Sequence, residues 1–95
     1  MIINSVMLKL KNRDSKIQKV NDALLSMKGK IDVLKDIQVE TNIRQGAASY
    51  DLIFYTNFES LVDMDVYIND PIHQEVGKLI VNMIEHQASV CYETI

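Results

Sequence analysis

Hydrophobic and polar side chains alternate along three stretches of the chain, at residues 2–11, 37–41 and 50–58. Because successive side chains of an extended strand point to opposite faces, a period of two predicts β-strands. The third stretch is rich in aromatic and β-branched residues, which strands favour. It is predicted to form a hairpin with the second stretch, across a loop that contains Gly46. Residues 87–93 are predicted to form a fourth, short strand.

Apolar residues recur at helical spacing between the first and second predicted strands, and again after the third. The first run predicts a helix over residues 15–28, which ends where Gly29 adopts the left-handed conformation of a C-cap. Ser60 and Asp63 resemble a capping box, with aspartate in the role of glutamate, and predict the start of a second helix.

A third helix is predicted immediately after the second. An Asn-Asp-Pro sequence breaks the second helix, and Asp70 and Pro71 fit the N-cap and the first position of the next one. The third helix is predicted to bury one apolar stripe, formed by Ile72, Val76, Leu79, Ile80 and Met83. His86 is predicted to lie near its end as a solvated capping residue, because a helix C-terminus favours a cation.

The order of these elements is strand, helix, strand, strand, helix pair and strand, within a single domain that spans residues 1–95. It is the order of the split βαβ, or ferredoxin-like, arrangement, an α+β fold with a four-stranded antiparallel sheet. The helices of this fold cover one face of the sheet only. The other face is predicted to carry Ile3, Met7, Ile53 and Tyr55. An apolar surface of this kind indicates an interface, so we expect a homodimer with its two sheets packed face to face.

The composition is that of an ordinary globular domain and narrows the class of partner. Hydrophobic residues make up 47% and charged residues 24% of the chain, so intrinsic disorder is not expected. The net charge of −3 comes without a lysine–arginine cluster, which argues against nucleic-acid binding. No apolar stretch resembles a membrane span or a signal peptide. The single cysteine, Cys91, cannot form an internal disulfide, so we expect a cytoplasmic protein. Cys91 itself is expected to be a small core or interface residue rather than a reactive thiol.

Several short segments carry further information, at residues 6–11, 28–31, 50–52, 58–59, 67–73 and 90–93. The segment at 67–73 is the most specific, because it combines Tyr67 with a proline-x-histidine sequence that ends at His73. In their order and spacing, these segments resemble the stress-responsive α/β-barrel domain family, whose members are also called dimeric α/β-barrel domains. The resemblance covers nearly the whole chain.

The resemblance implies a dimeric α/β barrel, in which two sheets face each other and each subunit holds a cavity between its helices and its sheet. Most members of the family have no established activity, but some plant members cyclise polyketides. In those enzymes a tyrosine and a histidine at the positions of Tyr67 and His73 act as acid and base. Asn4 stands where a histidine is common in the family. The ligand-binding residues expected in the cavity are Asn4, Val6, Leu8, Leu24 and Phe54. The alternative for Asn4 is that its amide bonds a neighbouring backbone or side-chain group.

Tyr67 and His73 are the candidate catalytic residues. His73 is predicted in the first turn of the third helix, where the partial positive charge of the helix disfavours an imidazolium. A neutral histidine can accept a proton, as a general base must. The turn before Pro71 can bring the phenol of Tyr67 back towards the imidazole. The alternative is structural: His73 braces the start of the helix, and Tyr67 packs beneath it.

Two functions are compatible with these residues. The first is a homodimeric domain that binds a small apolar molecule in its cavity without catalysis. The second is a cofactor-free enzyme of lyase or cyclase type, in which Tyr67 and His73 act as acid and base on a carbonyl substrate with an acidic neighbouring carbon. A monooxygenase of the wider dimeric-barrel group is a third option, although no residue argues for it. No metal or cofactor is expected, because the chain lacks metal-ligand spacing, a phosphate loop and a redox cysteine pair.

Overall fold

The computed structural model describes all 95 residues and contains the predicted order of elements. The strands are β1 (Ile2–Leu10), β2 (Asp36–Thr41), β3 (Leu52–Phe58) and β4 (Ile84–Glu93). The helices are α1 (Arg13–Leu25), α2 (Leu61–Asn69) and α3 (Pro71–Ile80), and a 3₁₀ turn (Val81–Met83) joins α3 to β4. None of these helices has both the length and the apolar character needed to cross a membrane.

The four strands form one antiparallel sheet in the order β2-β3-β1-β4, so β3 and β1 are its inner strands. Side chains alternate along β1 as predicted, because Leu8 and Leu10 are buried whereas Met7 is exposed. The buried side joins the core, to which α1 contributes Val20 and Leu24. This is the ferredoxin-like α+β fold that the order of elements predicts.

Two side-chain caps fix the passage from α2 to α3. The Ser60 hydroxyl accepts a hydrogen bond of 3.1 Å from the Asp63 backbone N–H at the start of α2. The Asp70 carboxylate accepts one of 2.8 Å from the Ile72 N–H, and Pro71 occupies the first turn of α3. Each cap satisfies a donor that the start of a helix leaves free. The extended residue Asp70 separates the two helices, as predicted.

Helix α1 begins and ends earlier than predicted. It starts at Arg13, after Asn12 adopts a left-handed conformation with a φ of 51° and provides no side-chain cap. It ends at Leu25, and turns continue from there to Gly29, whose φ of 76° is the left-handed value expected of it. Met27 in these turns is still buried, so the apolar spacing continues beyond the end of the helix.

The end of α3 and the start of β4 also differ from the prediction. Helix α3 stops at Ile80, so Met83 lies in the 3₁₀ turn, and Leu79 is 61% exposed instead of joining the buried stripe. His86 lies in β4, opposite Lys9, and the prediction that it caps α3 is wrong. The reason is strand pairing. The backbone N–H and C=O groups of β1 need partners along the whole strand, and β4 extends from Ile84 to Glu93 so that it pairs with β1 from Leu10 to Ile2.

Asp51, directly before β3, is the charged residue that the core contains. Its Oδ2 accepts a hydrogen bond of 2.6 Å from the Leu10 N–H, at the point where the register between β1 and β4 shifts. Its Oδ1 lies 3.3 Å from Nε of Arg13, and Nη2 of the same guanidinium donates a hydrogen bond of 2.8 Å to the Asn42 carbonyl oxygen. These contacts compensate the buried carboxylate and tie the loop between β2 and β3 to the start of α1.

The face of the sheet opposite the helices is open, and we call it the outer face. Its apolar side chains are Ile3, Met7, Ile53, Tyr55, Val90 and Tyr92. Met7, Val90 and Tyr92 are exposed, and no other element of the chain covers them. The apolar outer face expected from the sequence is therefore present, and β4 adds two side chains to it.

Candidate functional site

A cavity of about 540 Å³ lies between α1, α3 and the sheet. This volume is within the range of sites that hold small organic molecules. Most of the wall is apolar and is formed by Leu8, Phe54, Leu24, Met27, Val76 and Ile80. Polar groups come from Tyr67, His73, Glu85, His86 and Gln87, and no lysine or arginine contributes.

Three of the predicted ligand-binding residues, Leu8, Leu24 and Phe54, line the cavity, and so do Tyr67 and His73. The sequence does not predict the other cavity residues that α3 and the start of β4 contribute. For α3 part of this information is present in the predicted apolar stripe, because the cavity lies on the same side of the helix as the core. The start of β4 gives no such signal, since its pairing with β1 is not visible in a single sequence.

Asn4 and Val6 lie outside the cavity wall, although both belong to the helix-facing side of β1. Asn4 lies opposite Thr56 and Cys91 in the neighbouring strands. The Thr56 hydroxyl lies 3.5 Å from the Asn4 carbonyl oxygen, and the Cys91 sulfur lies 3.7 Å from the sulfur of Met64 in α2. Helix α2 therefore lies over this part of the sheet, and the cavity lies beside it.

Tyr67 projects from α2 into the core and is only 4% exposed. Its ring centroid lies 5.0 Å from that of Phe58 and 4.4 Å from that of His73. Every side-chain polar atom that is buried from solvent has a hydrogen-bond partner. The Tyr67 hydroxyl has no hydrogen-bond partner within the chain, so it is not buried from solvent. The hydroxyl is therefore reachable from the cavity that the residue lines.

Burial of the Tyr67 ring raises the pKa of its phenol from 10.0 to about 12. The cause is desolvation, which disfavours the charged phenolate. At neutral pH the side chain is therefore a neutral hydroxyl. It can donate a hydrogen bond to a carbonyl oxygen in the cavity, but it does not act as a base there.

Replacing Tyr67 by phenylalanine is expected to reduce the loss of stability at alkaline pH. A group with a raised pKa in the folded state stabilises the fold below its unfolded pKa of 10.0, and this contribution is lost as the pH rises towards 12. The loss through Tyr67 is on the order of 2–3 kcal/mol. Urea unfolding at a series of pH values measures it, with Tyr50→Phe, outside the cavity, as the control. Identical alkaline curves for wild type and Tyr67→Phe would contradict this expectation.

The imidazole of His73 is held by the end of α2. Its Nδ1 lies 3.0 Å from the Ile68 carbonyl oxygen, which also accepts a hydrogen bond of 2.8 Å from the Gln74 side chain. A carbonyl oxygen only accepts hydrogen bonds, so Nδ1 carries the proton in this contact. In the neutral ring, Nε2 then holds the lone pair and is available to accept a proton.

The two side chains place a hydrogen-bond donor next to a proton acceptor in an apolar cavity. Such a pair can bind a carbonyl group and remove a proton from the adjoining carbon. The contact of His73 with the Ile68 carbonyl also joins α2 to α3, so the structural role considered from the sequence is compatible with the same geometry. Nowhere in the chain do three or more His, Cys, Asp or Glu side chains form a group that can hold a metal ion.

Residues 3–94 match the family described as the stress responsive A/B barrel domain. The chain belongs to this family. The match spans nearly all of the sequence and confirms the resemblance carried by its short segments. No curated protein matches the sequence of this chain.

Solved structures with the same fold as this stress responsive A/B barrel domain include dimers and an enzyme. A dimeric protein of unknown function and ferredoxin-like fold from Bacteroides fragilis is 26% identical, with a TM-score of 0.82 over 98% of this chain and 95% of that one. A dimeric ferredoxin-like protein of unknown function from Thermobifida fusca is 17% identical, with a TM-score of 0.85 over 98% and 90%. Hydroxynitrile lyase from Passiflora edulis is 14% identical, with a TM-score of 0.83 over 96% and 90%. The ferredoxin-like fold class is thus confirmed.

Proposed function

We propose that this domain is a homodimer and binds a small, mainly apolar molecule in the cavity between its helices and its sheet. The observation that supports this function is the cavity of about 540 Å³ with its largely apolar wall. A few polar groups in such a wall are typical of small-molecule sites, where they orient the ligand. The Tyr67 hydroxyl, which is reachable from the cavity, is the donor best placed to do so.

The charges around the cavity favour an uncharged ligand. Glu85 is the only carboxylate in the wall, and no lysine or arginine reaches it. An anionic ligand would lose its hydration without gaining a charged partner, which is unfavourable. An apolar molecule with a carbonyl group, which can accept a hydrogen bond from Tyr67, suits these surroundings.

The homodimer is proposed on the basis of the apolar outer face. The similar structures from Bacteroides fragilis and Thermobifida fusca, both described as dimeric, support it. Packing two outer faces together would remove Met7, Val90 and Tyr92 from water, and burial of apolar surface is the main driving force of such association. A cytoplasmic location belongs to the same proposal, because Cys91 has no second cysteine with which to form a disulfide.

A cofactor-free enzyme of lyase or cyclase type is the second candidate, and the pairing of Tyr67 with His73 favours it. The Ile68 carbonyl holds Nδ1 of His73, so Nε2 is the free base. In this mechanism Nε2 takes a proton from the carbon next to a carbonyl group, while Tyr67 donates a hydrogen bond to the oxygen that becomes negative. The enolate carbon then bonds to the carbon of a second carbonyl group, and the imidazolium gives its proton to the oxygen of that group. Cleavage is the reverse sequence, in which Nε2 first takes the hydroxyl proton. Hydroxynitrile lyase from Passiflora edulis provides a precedent for an enzyme on this fold.

Proton exchange of a simple ketone separates the two candidates. Phenylacetone in deuterium oxide exchanges the protons next to its carbonyl group, and NMR measures the rate without knowledge of the natural substrate. If the pair is catalytic, wild type accelerates the exchange and His73→Asn lowers the rate by about 100-fold or more, the usual contribution of a general base. Tyr67→Phe is expected to be slower as well, whereas the control Tyr50→Phe keeps the wild-type rate.

The outcomes are distinct for the two functions. Binding of phenylacetone to wild type without accelerated exchange would remove the enzymatic candidate and leave the binding function. An unchanged rate in His73→Asn would also remove the enzymatic candidate. The binding function is tested by fluorescence titration with N-phenylnaphthylamine, a neutral apolar probe, and the absence of saturable binding would contradict it.

A further inference from the structure

Helix α3 lines the cavity along its length. His73, Val76, Gly77 and Ile80 all contribute to the wall. Their spacing by three and four residues places them on one face of the helix. Between His73 and Ile80 the helix rises by roughly 10 Å, at about 1.5 Å per residue. The cavity is therefore a channel that runs parallel to α3.

The residues at the two ends of α3 define the two ends of this channel. Tyr67 lines it beside His73 in the first turn of α3, with 4.4 Å between their ring centroids. Glu85, His86 and Gln87, which also line the channel, follow the 3₁₀ turn at the other end of α3. The phenol therefore marks one end of the channel, and the polar residues at the start of β4 mark the other. Between these ends the wall is apolar.

Gly77 faces the channel from the interior of α3. Glycine in a helix interior destabilises the helix relative to alanine. Its backbone does not require glycine, because a positive φ occurs at Gly29 and not at Gly77. Its packing does not require glycine either, since a Cβ at this position would meet no atom within 4 Å. The missing side chain instead leaves open space beside the channel.

We propose that Gly77 sets the width of this channel, and that the ligand is an elongated, uncharged molecule that lies along α3. Hydrogen-bonding atoms at its two ends meet Tyr67 and the polar start of β4, and its apolar middle passes over Gly77. The inference rests on the proposed binding function and adds to it the shape of the ligand and a residue that selects for that shape.

Gly77→Leu tests the inference directly. Leucine is a good helix former and would project into open space, so the fold is retained while the channel is blocked. The affinity for N-phenylnaphthylamine, measured by fluorescence titration, is expected to fall by about tenfold or more. Lys78→Leu is the matched control, because it adds the same side chain at the neighbouring exposed position, and it is expected to bind as wild type does.

Gly77→Ala tests the same inference in a milder form. Alanine is expected to raise the Tm by roughly 4 °C, through its higher helix propensity. It is also expected to weaken the binding of long methyl ketones more than that of short ones, measured by displacement of the probe, because the channel becomes narrower.

Each result has one meaning. Wild-type affinity in a folded Gly77→Leu variant would overturn the inference and leave the binding function intact. A lower Tm for Gly77→Ala would show that packing or backbone conformation requires the glycine, and would overturn the inference even if Gly77→Leu failed to fold. No saturable binding by the wild-type protein would overturn the binding function and this inference with it.

Discussion

Replacing Phe58 by alanine is expected to lower the free energy of unfolding by about 3–5 kcal/mol. Phe58 is fully buried, and its ring supports that of Tyr67 at a centroid distance of 5.0 Å. The variant loses the burial of a large apolar group and leaves a space that the surrounding sheet and helix can fill only in part. Since the total stability of a small domain is about 5–15 kcal/mol, urea unfolding will detect this loss easily.

Phe54→Ala is the matched control for this substitution. Phe54 lies on the same face of the same strand, but it is only partly buried, because it borders the cavity. Its removal enlarges an existing space and is expected to cost less. The pKa of Tyr67 should fall towards its ordinary value in Phe58→Ala, since water would reach the ring, and the ultraviolet absorbance of tyrosinate reports this change. Equal losses of stability in the two variants would contradict the assignment of Phe58 to the core.

Replacing Ile53 by aspartate is expected to weaken the proposed homodimer by at least about 100-fold. Ile53 lies in the inner strand β3, opposite Met7 in β1, and belongs to the outer face. In a dimer formed through this face, the new carboxylate would lose its hydration in each subunit and meet no cation. Sedimentation equilibrium at micromolar concentration measures the dissociation constant, and circular dichroism checks that the separated subunits keep their fold.

Ile43→Asp provides the same change at a site without such a role. Ile43 is 99% exposed in the loop between β2 and β3, so this variant is expected to dimerise as wild type does. A monomeric wild-type protein would contradict the homodimer itself. A dimer that survives Ile53→Asp would place the interface on another surface and leave the outer face unexplained.

Most of the fold was predictable because its causes are local in the sequence. Alternation around Met7 defines β1, since neighbouring side chains of a strand must face opposite ways. Ser60 and Asp70 cap their helices by bonding N–H groups two or three residues further along. Contacts of this kind need no knowledge of the rest of the chain. The single helix layer then follows from the order of the elements.

Features that depend on distant partners were not predictable in the same way. His86 belongs to β4 because it lies opposite Lys9, and nothing near His86 in the sequence indicates that pairing. Asp51 is buried because the Leu10 N–H and the Arg13 guanidinium meet it there. Alternation alone places Asp51 within the predicted strand and on its outer face, whereas β3 begins one residue later, at Leu52. A buried carboxylate is acceptable there because its partners are complete.

The candidate site also contains features with local causes, which were predictable, and features that depend on distant residues, which were not. Tyr67 and His73 lie on consecutive helices, and the proline between them indicates the turn that brings their rings together. Asn4 and Val6 share a face with Leu8, but only Leu8 lines the cavity, because α2 lies over the other end of that face. The spacing of apolar residues reveals the face of a strand. It does not reveal which part of that face a helix covers.

The pairing of β1 with β4 brings opposite ends of the chain together. The Met1 amino group donates a hydrogen bond of 3.1 Å to the Thr94 carbonyl oxygen, and the Thr94 N–H donates one of 2.9 Å in return. Among the four strands of the domain, β1 is translated first and β4 is translated last. Contacts between such distant residues slow folding, because chain entropy is lost before they form. One edge of β1 therefore stays unpaired until β4 has been translated, and unpaired strand edges are prone to aggregation.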